Sequence, residues 1–112
     1  MKYLLLIYGN EAERRGPPDE AVIKEYVAVA DTLRQRGQYL AAERLQPTST
    51  ATTVRVKDGK TLTTDGPFAE TKEQLGGFYF IEAKDLDEAV AYAARLPAAR
   101  SGCVEVRPIF AM

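Results

Sequence analysis

The sequence predicts an α+β fold: a small antiparallel sheet, two helices on one of its faces, and a β-hairpin inserted mid-chain. Three observations carry that expectation. Short apolar runs and stretches of 3.6-residue periodicity follow one another in the order β-α-β, hairpin, β-α-β. An Asp58-Gly59 pair separates two segments of alternating side chains, the strongest short-range hairpin signal. The chain has 112 residues, 46% apolar and 28% charged, enough for a single domain over 1–112 and too few for two cores.

Each element has its own justification. Residues 2–8, Lys-Tyr-Leu-Leu-Leu-Ile-Tyr, read as a buried strand. A polar connection from Glu11 to Pro18 ends in Gly16-Pro17-Pro18. Asp19 is placed as an N-cap, with Glu20 in the first turn. Val22, Tyr26, Val29 and Leu33 then fall on one helical face, widened by Ile23, Val27 and Ala30. Gly37 is the natural stop. Residues 38–45 predict a second strand, ended by Pro47 and the Thr/Ser cluster after it. In 51–57, Thr53, Arg55 and Lys57 face one way and Thr52, Val54 and Val56 the other. Residues 60–64 form the return strand. Asp65-Gly66-Pro67-Phe68 makes a turn. Glu70 to Leu75 predicts a short helical turn closed by Gly76-Gly77. Residues 78–83 form the next strand. Asp85 and Glu88 have capping-box spacing, and Leu86, Ala89, Val90, Ala93 and Leu96 form a helical stripe ended by Pro97. Residues 103–110 complete the sheet.

Without the hairpin this order is the split βαβ pattern of a ferredoxin-like sandwich. Its first and third core strands are central, and here both are apolar on both faces. Two helices cover only one face. Monomers rarely expose contiguous apolar patches beyond a few hundred Å². The simplest cover is a second copy packed about a two-fold axis, so the pattern predicts a homodimer. The alternative is that the hairpin folds back over the open face.

Composition excludes much chemistry. Fifteen Lys and Arg against 16 Asp and Glu lack the cationic surplus that nucleic acid requires. With no histidine, His-ligated metals and Ser-His-Asp or Cys-His catalysis are absent. The one cysteine, Cys103, forms no internal disulfide or Cys-cluster metal site, and it fits a reducing cytoplasm. The opening apolar run of about seven residues is too short for a signal-peptide core, and no run approaches the roughly 20 residues of a membrane span. No cofactor or metal is expected, although an all-oxygen ion site stays open.

At 65–77 the chain reads Asp-Gly-Pro-Phe-Ala-Glu-Thr-Lys-Glu-Gln-Leu-Gly-Gly. This long segment resembles the defining stretch of the DGPF-domain, or YCII-related, family. The opening Lys2-Tyr3-Leu4-Leu5-Leu6-Ile7-Tyr8, residues 45–55 and Val104-Glu105-Val106-Arg107-Pro108 are similar to its other segments, so the resemblance covers nearly the whole chain. It implies a dimeric α/β-barrel built from ferredoxin-like protomers in a bacterial cytoplasm. It implies no single reaction. Related YCII proteins carry a pocket at the subunit boundary with a His-Asp pair. This sequence lacks the histidine, and the Asp half maps onto Asp65. Some members resemble partners of extracytoplasmic-function sigma factors.

The candidate residues each have two readings. Asp65 is either a catalytic base or polar anchor in a pocket, or an Asx-turn holding its loop. Phe68, Glu70 and Lys72 belong to the same candidate binding segment. On a helical turn Glu70 and Glu73 share a face at i, i+3; they could share a proton or hold a divalent ion, or form a solvated face. Tyr8 either orients a ligand from the end of a central strand or is a core aromatic. Glu43 lies late in the second strand. Arg107, on one face with Glu105, clamps an anionic group or forms a structural ion pair. Cys103 reads as a small strand residue. The function expected is a homodimer with a small-molecule pocket between its sheets and acid–base activity; the alternative is a regulatory module acting on a sigma factor.

Overall fold

The computed structural model describes residues 1–13 and 19–111. The Gly16-Pro17-Pro18 connection expected from the sequence lies outside them. The strands are β1 (Lys2–Gly9), β2 (Tyr39–Arg44), β3 (Thr52–Lys57), β4 (Lys60–Asp65), β5 (Gln74–Glu82) and β6 (Cys103–Pro108). The helices are α1 (Glu20–Gln35), α2 (Leu86–Arg95) and the short α3 (Ala98–Ser101). Four strands form an antiparallel sheet in the order β2-β5-β1-β6. With the hairpin set aside, this is the ferredoxin-like order, with β1 and β5 at the centre.

Helix α1 begins and ends where its chemistry dictates. The Asp19 carboxylate accepts from the Ala21 amide at 3.0 Å, satisfying one orphan N–H. At the other end Gly37 has φ +70°. There the Gln38 amide donates to Leu33 O at 2.8 Å and the Gly37 amide to Arg34 O at 3.1 Å, the paired bonds of a Schellman motif. Helix α2 is capped by the Asp85 carboxylate, which accepts from the Glu88 amide at 2.9 Å. Glu88 reaches back one residue further than a capping box requires, accepting from the Lys84 amide at 3.1 Å.

Both helices lie on one face of the sheet. Tyr3, Leu5 and Ile7 of β1, Tyr79 and Ile81 of β5, Val29 and Leu33 of α1, and Ala89, Tyr92, Ala93 and Leu96 bury one core. The apolar stripes are narrower than the sequence predicts. Ile23 and Val27 are 44% and 50% exposed, and Leu86 and Val90 are 52% and 48% exposed. At about 100° per residue, Ile23 and Val27 sit on the flank of the Val22-Tyr26-Val29-Leu33 stripe. In α2 the inward set includes Tyr92 instead. Its hydroxyl donates to Gln38 Oε1 at 2.6 Å and accepts from Arg36 at 3.3 Å, so the phenol is buried with its polar end satisfied.

Two expectations are overturned between the hairpin and β5. No helical turn forms over 70–75, and Gly76-Gly77 is not a helix stop: β5 already begins at Gln74. Strand pairing outweighs the local pattern. Gln74 and Leu75 pair with Gly9 and Tyr8, and the register shifts at Ile7/Tyr8, a bulge accommodated at Gly76. Gly77 lies where a Cβ would stand 2.7 Å from Glu43 O, so β2 approaches too closely for a side chain. Strand β6 also stops at Pro108, short of the 110 expected. After Pro97 the chain makes the extra turn α3 before turning into β6.

The hairpin stands by itself. Asp58 and Gly59 have φ of +52° and +74°, both positive as a type I′ turn requires. Strands β3 and β4 form a separate two-stranded sheet. Only Thr53 along it is half-buried, so the hairpin does not fold back over the open face. The radius of gyration is 15.9 Å, against about 13 Å for a compact chain of this size.

Two stability outcomes follow from the packing. A Cβ at Gly102 would stand 2.2 Å from Tyr8 O and 3.1 Å from Gly9 Cα. Gly102→Ala is expected to destabilise by about 1–3 kcal/mol, measured by urea unfolding. Tyr79 donates to Tyr26 O at 2.9 Å, and burial, then the neighbouring Tyr26 and Tyr39, push its pKa up to about 12. A raised phenol pKa means the folded state keeps its proton longer than the unfolded state. That stability is complete below pH 10 and is lost as pH rises toward 12. Tyr79→Phe is expected to flatten the fall in stability between those values.

Candidate functional site

The face of the sheet away from the helices carries the site. Strand alternation puts Leu4, Leu6 and Tyr8 of β1 there, beside Phe78 and Phe80 of β5 and Glu105 and Arg107 of β6. Cross-strand rows run Arg107-Leu4-Phe80-Ala41 and Glu105-Leu6-Phe78-Glu43. The four apolar side chains at the centre are half-buried. Charged groups line the two edges. Glu43 and Glu105 therefore share a face but lie three strand spacings apart, about 14 Å.

At one end of this face a cleft of about 430 Å³ is lined by Tyr8, Thr71, Glu73, Cys103 and Glu105. The elements explain its shape. Cys103 opposes Tyr8 in the β1–β6 ladder, and Gly102 lets the turn from α3 come against Tyr8 O and the Glu73 carboxylate. Glu73 ends the loop that leads into β5. That loop is tied down by one local and one long-range bond: the Gln74 side-chain amide donates to Thr71 O, and its Oε1 accepts from the Glu11 amide at 2.9 Å. Glu11 in turn accepts from the amide and hydroxyl of Thr48 at 2.9 and 2.7 Å. Three separate connections thus brace the rim of the cleft.

Inside it, the Tyr8 hydroxyl donates to Glu105 Oε1 at 3.4 Å. Burial, and then the Glu105 charge and hydrogen bond, hold the phenol above its usual pKa, with Arg107 opposing them. Tyr8 is accordingly a neutral donor at physiological pH. The Cys103 thiol stands 3.9 Å from Glu73 Oε1. Burial and then the Glu73 charge push its pKa up, which disfavours the thiolate. Two carboxylates, a phenol and a hydroxyl, with no cation among the described lining residues, suit hydrogen-bonded recognition and proton exchange with a small polar molecule. No group of three or more His, Cys, Asp or Glu among the described residues could hold a metal ion.

A second cleft of about 450 Å³ lies on the helix side, lined by residues including Arg36, Lys84, Glu88 and Tyr92. Tyr92 and Glu88 are already tied to Gln38 there, so its polar groups serve the fold. The sheet-end cleft is the better candidate, since it lies at the end of the apolar sheet face that the helices leave uncovered.

Of the residues singled out in the sequence, Tyr8, Glu43, Glu105 and Arg107 share the open face, and Tyr8, Glu73 and Glu105 line the cleft. Asp65 ends β4 and is exposed, and its carboxylate makes no hydrogen bond or ion pair among the described residues. Phe68 is 81% exposed, and Glu70 and Lys72 are exposed beside it. None of the four lines the cleft of its own chain. Thr71 and Glu73, interleaved with them, do. The i, i+3 pairing of Glu70 with Glu73 lapses without the helical turn. Sequence reasoning missed Thr71 and Glu11, and it set Cys103 aside. The signal for Cys103 was its position opposite Tyr8; Glu11 and Thr71 act through contacts that no local pattern encodes.

No helix among the described residues is long and apolar enough to cross a membrane. Comparison with known proteins places the chain among relatives. It is 41% identical over 114 residues to the uncharacterized protein R00369 of Rhizobium meliloti (strain 1021), covering 97% of this chain and 92% of that one. A solved structure, the 5-chloro-2-hydroxyhydroquinone dehydrochlorinase of Burkholderia phenoliruptrix AC1100 in complex with 2,5-dihydroxybenzoquinone, aligns at 17% identity over 98% of this chain and 94% of that chain, with a TM-score of 0.48. The model of the YCII-related domain matches residues 1–112, and the chain belongs to that family.

Proposed function

We propose that this protein is a homodimer that binds a small polar molecule in the sheet-end cleft and exchanges a proton with it. The observation that carries the reading is the Tyr8–Glu105 pair, 3.4 Å apart, at the end of an apolar sheet face that the chain's own helices leave bare. Packing a second sheet there removes the apolar centre from water and walls in the cleft. Exclusion of water strengthens each hydrogen bond inside. Glu105 is then the base, and Tyr8 is the donor that orients the ligand. Cleft carboxylates favour a ligand that donates hydrogen bonds, such as a hydroxylated or amino compound, over an anion. Arg107, one strand position pair along on the same face, holds the Glu105 end of the field. Asp65, Phe68, Glu70 and Lys72 act as site residues across the dimer. The sigma-factor reading rests on resemblance, and no element of the fold favours it.

A thermal-shift screen against small hydroxylated, amino, carboxylic and phosphorylated metabolites tests this function. A ligand at 100 times its Kd adds about 2.7 kcal/mol, several degrees in Tm for a domain this size. Glu105→Gln is expected to weaken the best hit at least tenfold, while Tm without ligand stays close to wild type. No hit across the set, or hits indifferent to Glu105→Gln, would remove the cleft as the site. The same titration with pH reads Tyr8. Because its pKa is raised, binding is expected to hold up to pH 10 and to fall only above it. Tyr8→Phe is expected to weaken binding at neutral pH and abolish that alkaline limb.

A further inference from the structure

The β3–β4 hairpin is the part of the molecule that its own chain explains least. A two-stranded hairpin is marginal in water without something to pack on. Yet Val54 is 58% and Val56 71% exposed, and the two strands pair only with each other. Its faces are chemically distinct. The register Thr52↔Asp65, Val54↔Thr63 and Val56↔Thr61 puts five uncharged β-branched side chains on one face, with the carboxylate of Asp65 at its base. The opposite face carries Arg55, Lys57 and Lys60 beside Thr53, Leu62 and Thr64. Charged faces are how exposed hairpins stay solvated; the Val54–Val56 face has only Asp65, at its base, for that purpose.

The open sheet face has the matching deficit. Strands of six to nine residues in a four-stranded sheet project about 500 Å². A stable interface needs roughly 800 Å² from each partner. A face of that size is at the low end for a stable interface, and the exposed Val54–Val56 surface is available to add to it. The shape agrees: the chain extends 47 × 41 Å in two directions and only 19 Å in the third, a flat body with surface to spare in the plane of the sheet.

We propose that the β3–β4 hairpin is a clasp between copies: its Val54–Val56 face lies on a second copy of this chain and extends the contact made by the open sheet faces. This rests on the dimer reading above and deepens it, by naming the element that holds the copies together. The two valines of the hairpin face meet the apolar sheet centre, and Arg55, Lys57 and Lys60 remain in water. The loop at the base of the hairpin, with Asp65 and Phe68, is carried to the boundary between subunits, so the clasp is also what brings the DGPF segment to the site.

Sedimentation equilibrium on the full chain decides this. The wild type is expected at twice the 12.4 kDa chain mass. Val54→Asp with Val56→Asp is expected to raise the dimer Kd at least tenfold. Its far-ultraviolet circular dichroism should stay close to wild type, because the core strands do not pair with the hairpin. Arg55→Glu with Lys57→Glu, on the opposite face, is expected to leave the Kd within about twofold at 0.15 M salt, where screening is strong. A double-Asp variant that dimerises like the wild type overturns the clasp and leaves the sheet-on-sheet dimer standing. A stronger loss from the charge variant than from the double-Asp variant also overturns it, since the wrong face would then be docked. A monomeric wild type overturns the clasp and the dimer reading together.

Discussion

Two helices can shield one face of a sheet, and the central strands of this sheet are apolar on both. Almost every other feature answers to that imbalance. Tyr3, Leu5 and Ile7 have their cover in α1 and α2; Leu4, Leu6, Phe78 and Phe80 have only one another and the edge strands. The half of the protein that can be read as a finished core is the helix side. The other half is a surface with an apolar centre, charged edges and a cleft at one end. That surface is left free by the packing of the helices, which is why the proposed site lies there.

The chemistry of the cleft follows from the same arrangement. The strand ladder places Tyr8 against Cys103 and Leu6 against Glu105, so phenol, thiol and carboxylate converge without any special loop. Bracing comes from further away, through Glu11, Thr48 and Gln74. The rim is thus held by bonds between segments distant in sequence, which fix where Thr71 and Glu73 stand. The cleft brings a carboxylate and a phenol within reach of each other, Glu105 and Tyr8.

Much of the fold was legible because its signals are local. Asp58-Gly59 specified the hairpin turn by itself, Asp19 and Gly37 marked the ends of α1, and the doubly apolar runs at 2–8 and 78–83 identified the central strands. Errors arose where distant pairing overrode local pattern. Glu70, Glu73 and Gly76-Gly77 look like a helical turn with its stop, but β1 and β2 recruit Gln74 onward into the sheet. Ile23 and Val90 fit a helical stripe by spacing, yet the sheet is too narrow to cover flanking positions. Tyr92 was invisible as a core residue because its burial depends on Gln38 and Arg36. For the site, Tyr8, Glu43 and Arg107 were readable as strand residues facing one way. Which of them meets a cleft depends on strand order, and sequence alone does not encode the partnership of Glu73 with Cys103.

The separateness of the hairpin has a consequence for how such a protein can change over generations. The register of β3 and β4 is set by their own turn, and the main sheet closes through β2, β5, β1 and β6 without them. Residues can be added to or removed from the tip, or its composition rewritten, with little effect on whether the remainder folds. Selection can therefore act on this segment almost independently of the scaffold.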